Sequence, residues 1–259
     1  PRLTYELNVL KTMGFAPYFL VVDELVRWCK DEGILVGPGR GSVGGSLVAY
    51  LMGITDVDPI RFGLIFERFI NPSRRDLPDI DLDFMSTRRQ DVIGHLVEKY
   101  GHKRVAGLSN YSMLGSASGL KDASRVFALD AVNASRSKLI PKVHGQPVDL
   151  ETAEKDVAEI SQFADDNPEV WKAAVALQGV LRLYGKHASG IIVAGDDLEN
   201  MAVVERRSGE GVVNWDGRAA EDMGLVKLDI LGLSTLDTIS RTMDYIKQRH
   251  SKVPDILAI

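Results

Sequence analysis

The sequence predicts an α+β chain in which a helical segment interrupts a strand-bearing region, and three observations predict it. Acidic and apolar residues alternate with period two through Asp79-Ile80-Asp81-Leu82-Asp83-Phe84, the pattern of a strand with one polar and one apolar face. Residues 131–170 are polar, with scattered charge and Pro141, Pro147 and Pro168 as punctuation, so residues 111–186 read as a small helical subdomain. Beyond Gly185-Lys186-His187-Ala188-Ser189-Gly190, short apolar runs of strand length return.

The elements follow in order. Leu3, Leu7 and Leu10 recur at helical spacing up to Gly14, and a second helix starts at Pro17, carries Tyr18, Leu20, Val21, Leu25 and Trp28, and ends by Gly33. Ile34-Leu35-Val36 reads as a short strand. Residues 37–46 hold a glycine-rich turn, Gly37-Pro38-Gly39-Arg40-Gly41-Ser42-Val43-Gly44-Gly45-Ser46, before an apolar helical run over residues 47–52. Strand, glycine-rich turn and helix together aim backbone N–H groups at a phosphate. A P-loop is excluded, because no Lys-Ser/Thr follows the glycines. Three readings stay open: a dinucleotide fingerprint from Gly39 to Gly44, a triphosphate turn aided by Arg40 and Ser42, and tight helix–strand packing. Asp56 and Asp58 lie in a turn where caps are commoner than ligands.

Three arginines, Arg68, Arg74 and Arg75, lead into the acidic strand as its ion-pair partners or as a phosphate clamp. On that strand Asp79, Asp81 and Asp83 share a face, with same-face positions roughly 6.5 Å apart. Two such carboxylates can hold a pair of divalent cations about 3.5–4 Å apart, the spacing of in-line phosphoryl displacement. A solvated edge strand is the plain alternative. Ser86 or Thr87 is expected to cap a helix carrying Ile93, Leu96, Val97 and Tyr100 at core spacing. Lys121 to Arg125 begins a polar helix, and its cations, with Arg136, Lys138, Lys142, Arg182 and Lys186, either face solvent or meet a nucleic-acid backbone. Residues 191–193, 202–204, 212–215 and 225–229 read as strands, the last with Lys227 and Asp229 on one face and a turn at Gly232. A helix follows over residues 235–249.

Composition bounds these readings. The 259 residues are 45% apolar and 26% charged, as in a soluble globular protein. The formal net charge of −5 advertises no global basic field. A single Cys29 excludes a disulfide framework and a cysteine-rich zinc site and fits a reducing compartment. No signal peptide or membrane-length apolar run appears, so no membrane partner is expected. A start at Pro1, inside a helical pattern, leads to the expectation of a piece of something longer.

Four motifs in one order carry a resemblance: Gly39-Arg40-Gly41-Ser42, then Phe66-Glu67-Arg68-Phe69 with Asn71-Pro72, then residues 78–84, then Lys227-Leu228-Asp229-Ile230-Leu231-Gly232-Leu233. The set resembles the C-family replicative DNA polymerases of bacteria and phages, the α subunits of DNA polymerase III. The resemblance runs nearly end to end and is weakest over residues 130–180. It implies a mixed-sheet palm like that of the nucleotidyltransferase (polymerase β-like) fold, with an inserted helical thumb. The implied division is palm over 1–110, thumb over 111–186, palm again over 187–235, and over 236–259 the start of a connection to fingers that are absent.

By the same resemblance, Asp79, Asp81 and Asp229 are the catalytic, metal-binding carboxylates, with Asp83 outside the set. Arg40, Gly41, Ser42, Arg68, Arg74 and Lys227 are implied to hold the incoming nucleotide, and Lys121, Arg125, Lys186 and His187 to meet DNA. The implied reaction is two-metal nucleotidyl transfer from a deoxynucleoside triphosphate to a primer 3′-hydroxyl, with Mg²⁺ or, in its place, Mn²⁺. Primer–template DNA is the implied partner, with the sliding clamp and other replisome subunits reached through regions outside this chain, in the bacterial cytoplasm. The isolated piece is expected to fold, to bind divalent metal weakly and to extend primers poorly. A metal-dependent nuclease, a dinucleotide-dependent oxidoreductase and a non-catalytic nucleic-acid-binding scaffold are the rival readings.

Overall fold

The computed structural model describes residues 1–73, 78–130, 133, 135–251 and 255–256. Its chain divides into two compact units: unit 1 is Pro1–Ser109 with Lys186–Ile259, and unit 2 is Asn110–Gly185.

Unit 1 opens with helix α1 (Arg2–Met13), which ends where Gly14 takes the left-handed conformation at φ 73°. Its buried stripe is Glu6, Val9 and Leu10. Leu3 and Leu7, which recur at helical spacing with Leu10, are exposed, because the helix turns its Glu6 edge inward. Helix α2 (Ala16–Asp31) has proline in its first turn and buries Tyr18, Phe19, Val22, Leu25, Val26 and Cys29, while Leu20 faces outward. After the glycine-rich segment comes helix α3 (Leu47–Leu51).

A six-stranded mixed sheet forms the centre of unit 1. Its strands are β1 (Asp81–Met85), β2 (Val105–Met113), β5 (Leu181–Val193), β6 (Val204–Arg207), β7 (Glu210–Val213) and β8 (Val226–Leu233). The order is β1-β8-β5-β2-β7-β6, with β1/β8 and β2/β7 parallel and β5/β8 and β6/β7 antiparallel. Helix α4 (Arg89–Tyr100) buries Val92 and Leu96. One apolar cluster joins α1, α2 and α4 to Ile80, Leu82, Phe84, Ile191, Val193, Leu228 and Ile230. A second contains Leu108, Ile192, Val213 and Leu225. Ile191 and Val193 in one cluster and Ile192 in the other mark the two faces of the sheet.

Several sequence expectations are corrected here. Residues 34–36 make only an isolated bridge, Val36 to Phe84, because the chain turns at once into the glycine-rich loop. Strand β2 was missed, since its Gly, Ser and Asn content hides a strand whose first five residues are buried. Strand β5 begins at Leu181, six residues inside the segment read as helical, where exposed side chains gave no alternation. The strands near 202–204 and 212–215 lie at Val204–Arg207 and Glu210–Val213, paired through a turn at Ser208 and Gly209, both with positive φ. Strand β8 runs on through Gly232 to Leu233, and the helix Ser234–His250 follows directly.

Unit 2 has its own core of Leu120, Ile140, Leu150, Ile160, Phe163 and Val170. It holds α5 (Ser116–Val126), the helices Leu150–Asp156, Ala158–Asp166 and Pro168–Leu177, and a small hairpin of β3 (Lys142–Val143) with β4 (Gln146–Pro147). The polar helix expected from Lys121 thus begins five residues earlier, at Ser116, because small side chains at its start pack as well as apolar ones. No helix among the described residues is long and apolar enough to cross a membrane.

Candidate active site

Parallel pairing of β1 with β8 sets Asp81 directly beside Asp229. The period-two alternation places Ile80, Leu82 and Phe84 in the core and leaves the acids on the other face. Asp79, two residues before Asp81, falls just outside the strand. One carboxylate oxygen from each of Asp79, Asp81 and Asp229 lies within 4.8 Å of the others. All three donors are hard oxygens, a set that fits Mg²⁺ or Mn²⁺ and offers nothing to a soft metal.

Two cations sit against this cluster. Lys227 Nζ is 2.7 Å from Asp229 Oδ2 and 3.7 Å from Asp79 Oδ1. Arg40 is 3.4 Å from Asp83 Oδ1 and 4.0 Å from Asp81 Oδ2. Burial pushes the Asp79 carboxyl above its ordinary range; Lys227 pulls it back, and Asp229 and Asp81 push it further up. Burial alone would lower Lys227, but the hydrogen bond and charge of Asp229, with Asp79 and Glu221, outweigh it and raise the ammonium. Like charges held this close require such neutralisation.

The glycine-rich segment approaches the same place. Gly41 opens a 3-10 turn, Gly41–Gly45, at φ 65°, and a Cβ on it would stand 3.3 Å from Asp81 Oδ2. Only glycine adopts that conformation without strain so near a carboxylate. The α-helix expected straight after the turn starts at Leu47, with Ser46 as its N-cap accepting from Ala49 N–H at 3.1 Å. Behind the turn, the Glu6 carboxylate is fully buried and accepts from Arg2 Nε at 2.9 Å, Ser46 Oγ at 3.1 Å and Val48 N at 3.0 Å. Arg2 also donates to the Gly45 carbonyl at 2.5 Å. Helix α1 thereby fixes the far end of the turn whose near end faces Asp81.

Other contacts hold the acidic strands. Ile80 N–H donates to the Tyr18 hydroxyl at 3.1 Å, between Asp79 and Asp81. Burial pushes the Tyr18 phenol well up, a shift the Ile80 N–H opposes and the Asp79, Asp229 and Asp81 carboxylates reinforce. Ser189 Oγ lies 3.3 Å from Asp229 Oδ1, and His187 Nδ1 accepts Gly190 N–H at 2.8 Å. Glu221, on the helix Gly217–Asp222, is raised by burial and felt by Lys227 and the aspartates.

The remaining named residues are placed as follows. Arg68 is exposed and its guanidinium contacts no carboxylate among the described residues, and Arg74 lies outside them. The Ser42 side chain is exposed in the turn. Lys186 pairs with Glu210, and Arg125 with Asp122 at 3.3 Å. Lys121 is exposed on α5. The cap expected from Ser86 or Thr87 is not formed, since the N-cap of α4 is Arg88 and carries no side-chain cap; Asp237 instead holds the 3-10 turn Ser86–Arg88 before the helix, accepting Ser86 N–H at 3.1 Å, Thr87 N–H at 3.3 Å and the Thr87 hydroxyl at 2.6 Å. Glu6, Glu221 and Asp237 escaped the sequence reading, and Tyr18 and Ser189 were read there without a part in the site. Only Glu6 left a signal there, an acid on the same helical stripe as Val9 and Leu10.

Comparisons with known proteins agree with one another. A family model described as the bacterial DNA polymerase III alpha NTPase domain matches residues 1–232. The DNA polymerase III subunit alpha of Yersinia pestis is 47% identical over 247 residues, that of Deinococcus radiodurans 42% over 253, and that of Thermus aquaticus 40% over 252. Each alignment covers 95% of this chain but only 19% to 21% of the relative. With the model spanning residues 1–232 and these relatives aligned along nearly the whole sequence, the chain belongs to the bacterial DNA polymerase III alpha NTPase domain family.

Proposed function

We propose that this chain is the palm and thumb region of a template-directed DNA polymerase, with Asp79, Asp81 and Asp229 as the carboxylates of nucleotidyl transfer. The observation that carries the reading is the convergence of those three groups within 4.8 Å on the face of a mixed sheet, in a chain of this family. Unit 1 is then a nucleotidyltransferase-like palm and unit 2 the inserted thumb. The substrates are a deoxynucleoside triphosphate and a primer–template duplex, in a bacterial cytoplasm.

Asp79, Asp81 and Asp229 would hold the divalent ions, Mg²⁺ or Mn²⁺. When bound, such a pair supplies charge neutralisation at the attacking 3′-oxygen and the departing pyrophosphate. The protein's own part is positioning. The Gly41 turn brings backbone N–H groups beside the acids without a side chain in the way. Arg40, half exposed next to Asp81 and Asp83, is free to exchange those carboxylates for triphosphate oxygens. Lys227 and Arg40 offset part of the charge of Asp79, Asp81, Asp83 and Asp229 before any cation arrives, which helps to keep the site ordered for the reaction. Arg68, Arg74 and Ser42 are assigned to the nucleotide on the resemblance of their motifs.

A nuclease could use the same carboxylates. The dinucleotide reading has less support, because the Gly39–Gly44 run continues into a 3-10 turn and a five-residue helix rather than the long helix of a βαβ unit. The test incubates the chain at high concentration with labelled primer–template and Mg²⁺, with and without deoxynucleotides. Slow addition of the templated nucleotide, abolished in Asp81→Asn, supports the polymerase. Shortening of the primer without nucleotides overturns it in favour of the nuclease. Binding of Mn²⁺, followed by electron paramagnetic resonance, should be lost in Asp81→Asn and Asp229→Asn.

A further inference from the structure

Two backbone donors share one imidazole nitrogen close to Asp229. His187 Nδ1 takes the Gly190 N–H at 2.8 Å and the Ser189 N–H at 3.3 Å. A backbone N–H can only donate, so Nδ1 is the acceptor and the neutral ring carries its proton on Nε2. A side chain that accepts from the N–H groups two and three residues ahead closes a tight turn on its own backbone. Glycine at position 190 makes room for it: a Cβ there would stand 3.0 Å from His187 Nδ1 and 2.9 Å from Leu108 Cδ1.

The turn ends opposite Asp229. Gly190 is the register partner of Asp229 in the β5/β8 pair. The Ser189 hydroxyl, on a buried residue, lies 3.3 Å from Asp229 Oδ1 and 3.5 Å from His187 Nδ1. Its one proton goes to the carboxylate, since Nδ1 already accepts two N–H groups and a charged acceptor makes the stronger bond. Lys227 takes the other oxygen, Oδ2, at 2.7 Å. Both oxygens of this buried carboxylate are therefore held, and its rotation is restricted. Arg89, the first residue of α4, fastens the same turn to β8, donating to the Ala188 carbonyl at 2.7 Å and to the Ile230 carbonyl at 2.9 Å.

We propose that His187 and Ser189 are positioning residues for Asp229, with the His187 ring closing the turn that delivers the Ser189 hydroxyl to the carboxylate. The inference deepens the proposed function and rests on its reading of Asp229 as a metal-binding carboxylate. Groups that hydrogen-bond a metal-binding carboxylate fix its orientation, and their loss typically costs about 10- to 100-fold in metal affinity. What the turn requires of residue 187 is an acceptor at the Nδ1 position, not an imidazole as such. Asn places its Oδ1 there, whereas Gln carries its amide one bond further out, toward the position of Nε2.

The experiment measures Mn²⁺ binding to the full chain by electron paramagnetic resonance in Ser189→Ala, His187→Gln, His187→Asn and Asp229→Asn, with thermal unfolding of each metal-free protein alongside. Ser189→Ala and His187→Gln should each raise the Mn²⁺ dissociation constant about tenfold or more. His187→Asn should bind Mn²⁺ as the unaltered chain does, and rescue by Asn but not by Gln separates an acceptor at Nδ1 from mere filling of space. If His187→Gln does not fold, Ser189→Ala decides, because it removes one hydroxyl and leaves the turn in place. Ring-nitrogen NMR of the unaltered, metal-free chain should show His187 as the Nε2–H tautomer, and a proton on Nδ1 would overturn the proposal. Unchanged affinity in Ser189→Ala and His187→Gln, beside a loss in Asp229→Asn, overturns the positioning role and leaves the polymerase reading standing. Unchanged affinity in Asp229→Asn removes that reading and the inference with it.

Discussion

Lys227 is the residue on which the acidic cluster depends in the absence of metal. Its ammonium lies between Asp229 and Asp79, and both it and Asp229 are largely buried. Taking one partner from a buried pair leaves the other charge uncompensated, at a cost of about 3 kcal/mol. The half-exposed Asp79 adds little to that figure. Lys227→Met should therefore lower the unfolding free energy by about 3 kcal/mol in metal-free buffer. Mn²⁺ should close most of the gap, because a cation held by the same carboxylates stabilises the folded state by binding linkage. Denaturant melts with and without Mn²⁺ give the comparison. A gap indifferent to Mn²⁺ would mean that no cation enters between these aspartates.

At the scale of elements, two carboxylates accept backbone N–H groups across the fold. Glu6 on α1 satisfies the start of α3, and Asp237 on the helix Ser234–His250 satisfies the turn that opens α4. The helix after β8 is thus tied to the helix after β1, and the parallel β1/β8 pair carrying Asp81 and Asp229 lies immediately before both. The Thr87 hydroxyl, joined by the N–H groups of Thr87 and Ser86, holds the Asp237 carboxyl below its ordinary 3.8. An acid depressed in the folded state contributes stability that is fully present above that ordinary value. The contribution disappears as pH falls through the folded-state pKa. Asp237→Asn should accordingly be less stable than the unaltered chain near neutral pH, and the difference should shrink below about pH 4. Thermal unfolding across pH measures it, and a difference constant with pH would remove the charge from the explanation.

At the scale of the molecule, the two units have separate cores, and all three aspartates belong to unit 1. Ligand binding protects only the structure that it is linked to. Hydrogen exchange followed by mass spectrometry should therefore show Mn²⁺ slowing exchange in β1 and β8 while leaving the helices Ala158–Asp166 and Pro168–Leu177 unchanged. Equal protection in both units would show that the metal acts on the whole chain.

The sequence by itself determined the elements whose chemistry is local. Alternation around Asp81 set which side chains of β1 are core and which are acid, since a strand has period two whatever it pairs with. The glycine density of residues 37–46 marked a turn made for close approach, because positive φ and missing Cβ atoms are properties of the residue. The order of four motifs pointed to the family. Only the tertiary structure decided that Asp229, 148 positions after Asp81 in the numbering, stands beside it, for parallel register is a long-range pairing that no local pattern encodes. It also decided that α1 buries Glu6 rather than Leu3, and that Asp237 rather than a side chain of its own segment holds the turn before α4. A buried carboxylate is stable only if donors from other elements surround it, and those donors are assembled by folding rather than by sequence neighbourhood.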